Sequence, residues 1–355
     1  MNSGGGSAAP VDVAIAGLGR AAFSEHLPFF DANRGLFKII AACDLSKERR
    51  DRFAAVFPGA RLFKYIDDML DESDIELMVV TVPSKEHVAF ASASLKKGFW
   101  TAVESPIAAT AEDANALRAA AERAGGRLLP ILRGPTDPGF ALAAEVAAEG
   151  RLGTLHRVSI VCDDYLRRND WQATKTAGGG AAMYAMPDMV CQALRLAGSP
   201  PVKMWSELKR IASVGDAEDF VHVRFKTRSQ LTMDVEYNGG RVPCWPRPAF
   251  VLEGARGAFR VMPGERSGTL ALLDLPASRR RKSVRTPPLS GMREETGVAL
   301  ETVSLPEGTP DAVGAFWRRV HDTVRGAKPF HIRRAEAFEA LRLSLLARHG
   351  GSHGG

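Results

Sequence analysis

The chain has 355 residues, 45% hydrophobic and 25% charged, with a formal net charge of +6; this is ordinary globular composition and suggests about two domains with a sizeable core. No apolar run approaches the ~18 residues of a membrane-spanning helix, and the opening Met1-Asn2-Ser3-Gly4-Gly5-Gly6-Ser7 lacks the basic start and apolar stretch of a signal peptide. Cys43, Cys162, Cys191 and Cys244 form no Cys-x-x-Cys pair, so the expectation is a cytoplasmic protein with reduced thiols, no disulfide framework, no metal site and no membrane partner. Basic residues are spread along the chain rather than gathered with aromatics, which argues against a nucleic-acid partner; the one dense run, Arg279-Arg280-Arg281-Lys282, reads as a solvated loop.

Residues 1–10 read as a flexible tail. Next comes Val11-Asp12-Val13-Ala14-Ile15-Ala16, a short apolar strand leading into Gly17-Leu18-Gly19-Arg20-Ala21-Ala22. Strand, glycine turn and helix start in this order form a dinucleotide-binding fingerprint. Gly17 permits the tight turn, Gly19 admits a pyrophosphate to the backbone, and Ala22 replaces the third glycine. The free N–H groups of that helix start favour an anion. A second strand over 37–43 ends at Asp44, 25 residues after Gly19, near the ~20 expected for the acid that binds the adenosine ribose. Asp44 favours NAD over NADP; Ser46, Lys47 and Arg49 beside it soften that preference.

The pattern then alternates. The spacing predicts helices over 47–57, 86–97 and 111–124 and buried strands over 77–82, 100–103 and 127–132, the order of a doubly wound parallel sheet over residues 11–134. Beyond a helix at 138–149 the strands 155–162, 202–211, 220–226, 231–237 and 250–261 follow one another, crossed by a helical segment at 181–196, with helices at 312–324 and 334–348 closing the chain. Strands without intervening helices imply a large, open, mostly antiparallel sheet in an α+β domain over 135–349, with 350–355 as a second tail. The strands 220–226 and 231–237 carry Phe220, Val221, Val223, Phe225, Leu231, Met233 and Val235, more apolar side chains than one covered face needs, so a second covered face is expected.

Five stretches together resemble the Gfo/Idh/MocA family, the relatives of glucose-fructose oxidoreductase and inositol dehydrogenase. They are Ala16-Gly17-Leu18-Gly19-Arg20; Thr81-Val82-Pro83-Ser84 with His87; Val103-Glu104-Ser105-Pro106; Gly153 with Asp170-Trp171-Gln172; and Gly178-Gly179-Gly180 leading to Gln192-Ala193-Leu194. The resemblance runs from about Val11 to Val261. It implies an N-terminal Rossmann domain and a C-terminal sheet that supplies a substrate floor and a homo-oligomer contact. It implies also that Gly17, Gly19, Arg20 and Asp44 hold the dinucleotide, that Thr81, Pro83, Ser84 and His87 line its nicotinamide-ribose side, and that Glu104 and Pro106 bound it. His87 reads equally as a helix-start histidine with no ligand role.

The departures from the family pattern fall where chemistry should happen. The family's catalytic lysine is Ser105; after the triple glycine its acid or amide is Tyr184, its histidine is Asp188 and its following aspartate is Cys191. Taking hydride from a carbinol requires that the hydroxyl proton leave too, and a positioned base contributes roughly 10²- to 10⁴-fold. Serine brings no positive charge to a developing alkoxide. Asp188 is the best remaining proton acceptor, facing the nicotinamide pocket, and an ordinary carboxylate fits that role only if burial raises its pKa; its alternative is a helix-start acid after Pro187 that caps or salt-bridges. Lys175 is a candidate substitute cation or a solvated loop lysine, with Arg168 and Asp170 as further polar neighbours.

Three function classes follow. One is an NAD(P)-dependent oxidoreductase with an altered site acting on a carbohydrate-like or other hydroxylated small molecule. The second is a non-redox enzyme on the same fold, and the third is a non-catalytic dinucleotide or sugar sensor or scaffold.

Overall fold

The computed structural model describes residues 9–72, 74–274 and 297–354; the basic run at 279–282 lies outside them. Among the described residues the first half holds six parallel strands: β1 (Val11–Ala16), β2 (Phe37–Cys43), β3 (Arg61–Phe63), β4 (Leu77–Val80), β5 (Trp100–Val103) and β6 (Leu128–Pro130), in the order β3-β2-β1-β4-β5-β6. A π-helical turn, Ala22–His26, runs into α1 (Leu27–Ala32), followed by α2 (Lys47–Val56), α3 (Ile66–Leu70), α4 (His87–Lys96) and α5 (Ala111–Arg123). Every residue of β4 is buried, as are Val13 to Ala16 of β1, because a parallel sheet covered by helices on both faces has no polar side. Ser46 and Thr110 cap α2 and α5, accepting from the Arg49 and Asp113 N–H groups at 3.3 and 3.1 Å. The strand order reverses between β1 and β4, and the crevice beyond their carboxyl ends is where such sheets bind ligands.

The second half follows α6 (Pro138–Ala148), capped by Asp137. Its elements are β7 (Leu155–Asp163), α7 (Ala181–Tyr184), α8 (Met186–Ala197), β8 (Pro201–Lys209), β9 (Phe220–Thr227), β10 (Thr232–Asn238), β11 (Phe250–Gly254), β12 (Gly257–Val261), β13 (Ser267–Asp274), β14 (Gly297–Ser304), α9 (Ala312–Val324), α10 (Arg334–Ala347) and β15 (Gly351–Gly354). The nine strands run β14-β13-β12-β11-β7-β10-β9-β8-β15, antiparallel except for the parallel pair β7 and β10. Helices α8 and α10 pack on one face. No helix of the described residues is long and apolar enough to cross a membrane.

Several details differ from the reading of the sequence. The run 250–261 is a hairpin of two strands, because the Ala255 and Arg256 N–H groups turn away to the carbonyls of Thr154 and Leu152 at 3.0 and 2.8 Å; Gly254 and Gly257 sit where a Cβ would strike backbone oxygens. The segment 181–196 breaks at Ala185, just before Pro187, whose ring nitrogen has no hydrogen to continue the helix. Residues 351–354 are not a free tail but pair with β8.

The outward face of β9 and β10 is polar rather than apolar. In β9 and β10, Val221, Val223, Phe225, Met233, Val235 and Tyr237 are buried, while the alternate positions His222, Arg224, Lys226, Thr232 and Glu236 are polar. The outward face carries ion pairs instead. Asp234 meets His222 at 3.1 Å, Arg224 at 2.7 Å and Arg157 at 3.2 Å, and Arg247 joins Asp163 to Glu236. Burial works against ionised Asp234, but the His222 and Arg224 hydrogen bonds outweigh it and hold the carboxyl below its ordinary range.

Candidate active site

The glycine turn is built by close backbone approach. At Gly17, with φ of 92°, a Cβ would lie 2.7 Å from the Val82 nitrogen and 2.8 Å from the Thr81 carbonyl carbon; Thr81 Oγ1 donates to the Gly17 carbonyl at 2.5 Å. Only glycine lets β1 and β4 meet this way. At Gly19 the nearest atom to an added Cβ is 3.9 Å away, leaving the open side over which a pyrophosphate would lie. The helical run 20–32 begins there, and the N–H groups of its first turn have no acceptor within the helix. These residues fit a dinucleotide.

Asp44 does more than wait for a ribose. Its Oδ2 accepts the Leu18 N–H at 2.8 Å and its Oδ1 the Ser46 N–H at 2.8 Å, so the carboxylate also holds the glycine turn in shape. Arg49 stands 3.5 Å from Oδ2, and the Arg50 guanidinium donates to the Asp44 carbonyl at 2.5 Å. The adenosine side therefore presents one acid flanked by two cations.

Across the crevice, His87 is buried with Nδ1 2.8 Å from the Pro106 carbonyl and Nε2 2.8 Å from the Val82 carbonyl. Both ring nitrogens face backbone carbonyls, and a neutral ring, with a single N–H, donates to one of them. Burial pulls its pKa down while the two carbonyls oppose that. His87 thus braces the loop 82–87 against Pro106. Pro83 is exposed, and the Ser84 hydroxyl is buried without a hydrogen-bond partner. The Ser105 Oγ is likewise buried and unpartnered, next to a cis bond to Pro106. Two orphaned hydroxyls at this border are polar atoms that a ligand would satisfy.

Asp188 lies in the first turn of α8, partly buried, its Oδ1 accepting the Gly134 N–H at 2.6 Å. Burial pushes its carboxyl up to about 6; the Gly134 hydrogen bond and the nearby Arg133 charge oppose the rise, and Glu104 adds to it. Arg133 in turn pairs with Glu25, which also meets Arg20 at 3.3 Å. Asp188 thus tethers the junction between the halves through Gly134.

Tyr184, ending α7 four residues earlier, lies edge-on to Tyr237 with ring centroids 5.4 Å apart and has the Arg168 guanidinium 4.5 Å over its ring. Burial raises the Tyr184 hydroxyl's pKa. Arg168 pairs with Asp170 at 3.1 Å and keeps a buried, unpartnered Nε, so it is the cation beside Tyr184. Lys175 is exposed, its backbone N–H bonds Asp216 at 2.8 Å, and it lines a cavity of about 440 Å³ with Ala109, Glu218, Arg348 and His349. Cys191 lies elsewhere, fully buried, its thiol 3.3 Å from the Arg195-bound Glu336, and burial pushes its pKa up. Of the four altered positions, Ser105 adjoins the cis bond to Pro106, Tyr184 packs on Tyr237 and Arg168, Asp188 holds Gly134, and Cys191 belongs to the core. Sequence reasoning passed over His26, Arg133 and Trp317, which no local motif marks.

A parallel Rossmann sheet with a fitted glycine turn, joined to a large mixed sheet, defines a two-domain dinucleotide-binding protein of the oxidoreductase type. Residues 11–131 match the model of the oxidoreductase family with an NAD-binding Rossmann fold, and residues 140–260 that of the GFO/IDH/MocA C-terminal domain; the chain belongs to the Gfo/Idh/MocA oxidoreductase family. It is 27% identical over 260 residues to an uncharacterized oxidoreductase of Schizosaccharomyces pombe, covering 71% of this chain and 70% of that one. It is 26% identical over 262 residues to scyllo-inositol 2-dehydrogenase (NADP(+)) of Bacillus subtilis, covering 70% and 68%. The fold matches the crystal structure of aldose-aldose oxidoreductase from Caulobacter crescentus with a TM-score of 0.77 at 18% identity, over 97% of this chain and 99% of that one.

Proposed function

We propose that the protein is an NAD(P)-dependent oxidoreductase that oxidises a carbohydrate-like or other hydroxylated small molecule, with Asp188 as the proton acceptor. The observation that carries this reading is a carboxylate raised to about 6 by burial, on the helix after the triple glycine. A base of that pKa takes a hydroxyl proton at neutral pH. The dinucleotide, when bound, supplies the hydride acceptor. The chain's own residues do the rest: Gly17, Gly19, Arg20 and Asp44 hold the nucleotide, Thr81, Pro83, Ser84, Glu104 and Pro106 border its nicotinamide end, Tyr184 and Arg168 orient the substrate, and Asp188 Oδ2 takes the proton. NAD is the proposed cofactor and NADP a weaker one. Homologues named as inositol and cyclohexadiene-diol dehydrogenases support a cyclic polyol-like substrate.

A second reading, a dinucleotide-responsive regulator without turnover, is favoured by one observation: Ser105 puts a neutral hydroxyl where the family's lysine charge would stand. We propose also that the chain forms a homo-oligomer through the open face of its nine-stranded sheet. The experiment that separates enzyme from regulator is a cofactor-reduction assay over polyols, inositols and sugar acids with wild-type protein and Asp188→Asn. Reduction that the variant loses supports the enzyme; NADH binding with no reduction across the panel supports the regulator.

A further inference from the structure

We propose that His26 and Trp317 are positioning residues for Glu104, and that through them the seating of α9 sets the peptide bordering the dinucleotide pocket. The inference rests on the reading of that pocket as a dinucleotide site. Its basis is a chain of buried hydrogen bonds. The Trp317 indole Nε1–H donates to His26 Nδ1 at 3.2 Å, His26 Nε2 lies 2.7 Å from Glu104 Oε1, and Glu104 Oε2 accepts the Ser105 N–H at 2.8 Å.

The direction of each bond follows from one fact: an indole N–H donates and cannot accept. His26 Nδ1 must present its lone pair to Trp317. The ring hydrogen of the neutral imidazole then sits on Nε2 and is donated to Glu104, which accepts on both oxygens as a carboxylate does. His26 and Trp317 are fully buried and Glu104 nearly so, so no bulk water competes for the tautomer. Trp317 is itself fixed, its ring centroid 5.3 Å from His26 edge-on and 4.7 Å from Phe30.

What this holds in place is the strip Glu104-Ser105-Pro106. Its front end is tied by Glu104 to His26, and its far end by the Pro106 carbonyl to His87. Two histidines thus pin the loop on which the altered position Ser105 sits, one of them directed by a tryptophan 291 residues away in the chain. Glu104 also adds its negative charge to the field that raises Asp188, so a displaced Glu104 would be felt at the proton acceptor. The π-helical turn Ala22–His26 ends on the histidine that begins this chain, and such turns recur at functional sites.

The test uses full-length protein labelled with ¹⁵N-histidine, wild type and the variants Trp317→Phe, His26→Gln and His26→Leu. In wild type one histidine, identified by its loss in His26→Gln, should carry hydrogen on Nε2 and none on Nδ1. Trp317→Phe, which keeps an aromatic ring and removes the N–H, should give a mixture of tautomers. By fluorescence titration with NADH, His26→Gln retains a donor towards Glu104 and should bind within about threefold of wild type, whereas His26→Leu should bind roughly tenfold or more weakly. A wild-type His26 with hydrogen on Nδ1, unchanged affinity in His26→Leu, or equal weakening in the Gln and Leu variants would overturn the proposal. If the leucine variant does not fold, the tautomer in Trp317→Phe decides, a single unshifted tautomer counting against it. A wild type that binds no NADH defeats the functional reading, while the tautomer still decides the hydrogen-bond chain.

Discussion

The Asp188 carboxylate accepts the Gly134 backbone N–H at 2.6 Å, joining the first turn of α8 to the segment that leaves the Rossmann sheet. Gln192, one turn later, donates to the Gly134 carbonyl at 2.7 Å. The proton acceptor proposed for the reaction is thus also a link between the two halves of the chain.

Stability should show that link through pH. The folded pKa of about 6 lies above the ordinary 3.8, so between pH 4 and 6 the folded chain keeps a proton that the unfolded chain has lost. Stability from this group therefore falls as pH rises through that window, by on the order of 3 kcal/mol, and is flat above it. Asp188→Asn keeps the oxygen that accepts from Gly134 and removes the titration. Calorimetric melting of the two proteins should coincide near pH 4 and diverge by a few degrees in the variant's favour at pH 7; a gap that does not change with pH would contradict the raised pKa.

Turnover should follow the same group. The rate is expected to fall as pH drops through about 6, and Asp188→Asn should lower kcat on the order of 10²-fold or more with NADH affinity nearly unchanged. Full activity in the variant would move the base elsewhere.

The two glycines of the turn should fail differently. Gly17→Ala places a Cβ 2.7 Å from the Val82 nitrogen at a positive φ, costing about 2–4 kcal/mol and the fold of the turn with it. Gly19→Ala meets nothing closer than 3.9 Å; it should melt within a few degrees of wild type yet lose most NADH affinity. Equal melting points for both variants would show that the turn is not strained as described.

Cofactor choice should respond to the charges around Asp44. Wild type is expected to bind NAD more tightly than NADP, and Arg49→Glu, which replaces the cation 3.5 Å from Asp44, should widen that ratio roughly tenfold by repelling a 2′-phosphate. Calorimetric titration with both nucleotides measures it, and tighter NADP binding in wild type would reverse the assignment.

Two further outcomes concern the altered site and the sheet. Ser105→Lys alone should give no strong polyol dehydrogenase activity, since position 188 still lacks the family's histidine and residues that act as a unit are not additive. The homo-oligomer proposed through the outward face of β9 and β10 should sediment as a dimer or tetramer at micromolar concentration; a monomer would rule it out.

The sequence by itself determined the parallel first half, the glycine turn with Asp44, and the family. Those signals are local: a buried strand is a continuous apolar run, and a turn that needs positive φ needs glycine. Periodicity did not fix how 250–261 folds back, because two bonds to Leu152 and Thr154 decide it. Nor does the number of apolar residues on β9 and β10 assign their faces, because alternate side chains of a strand point to opposite sides. The candidate site shows the sharper division. Ser105, Tyr184 and Asp188 stood out by their place in a motif, yet Cys191 turned into the core, Lys175 is exposed, and Arg168 took the position beside Tyr184. His26, Glu104 and Trp317 meet across 291 residues of sequence, and His87 faces two backbone carbonyls. Which polar groups are buried together, and therefore which pKa is raised and which tautomer is set, depends on desolvation and on partners distant in the chain, and only the tertiary structure brings those about.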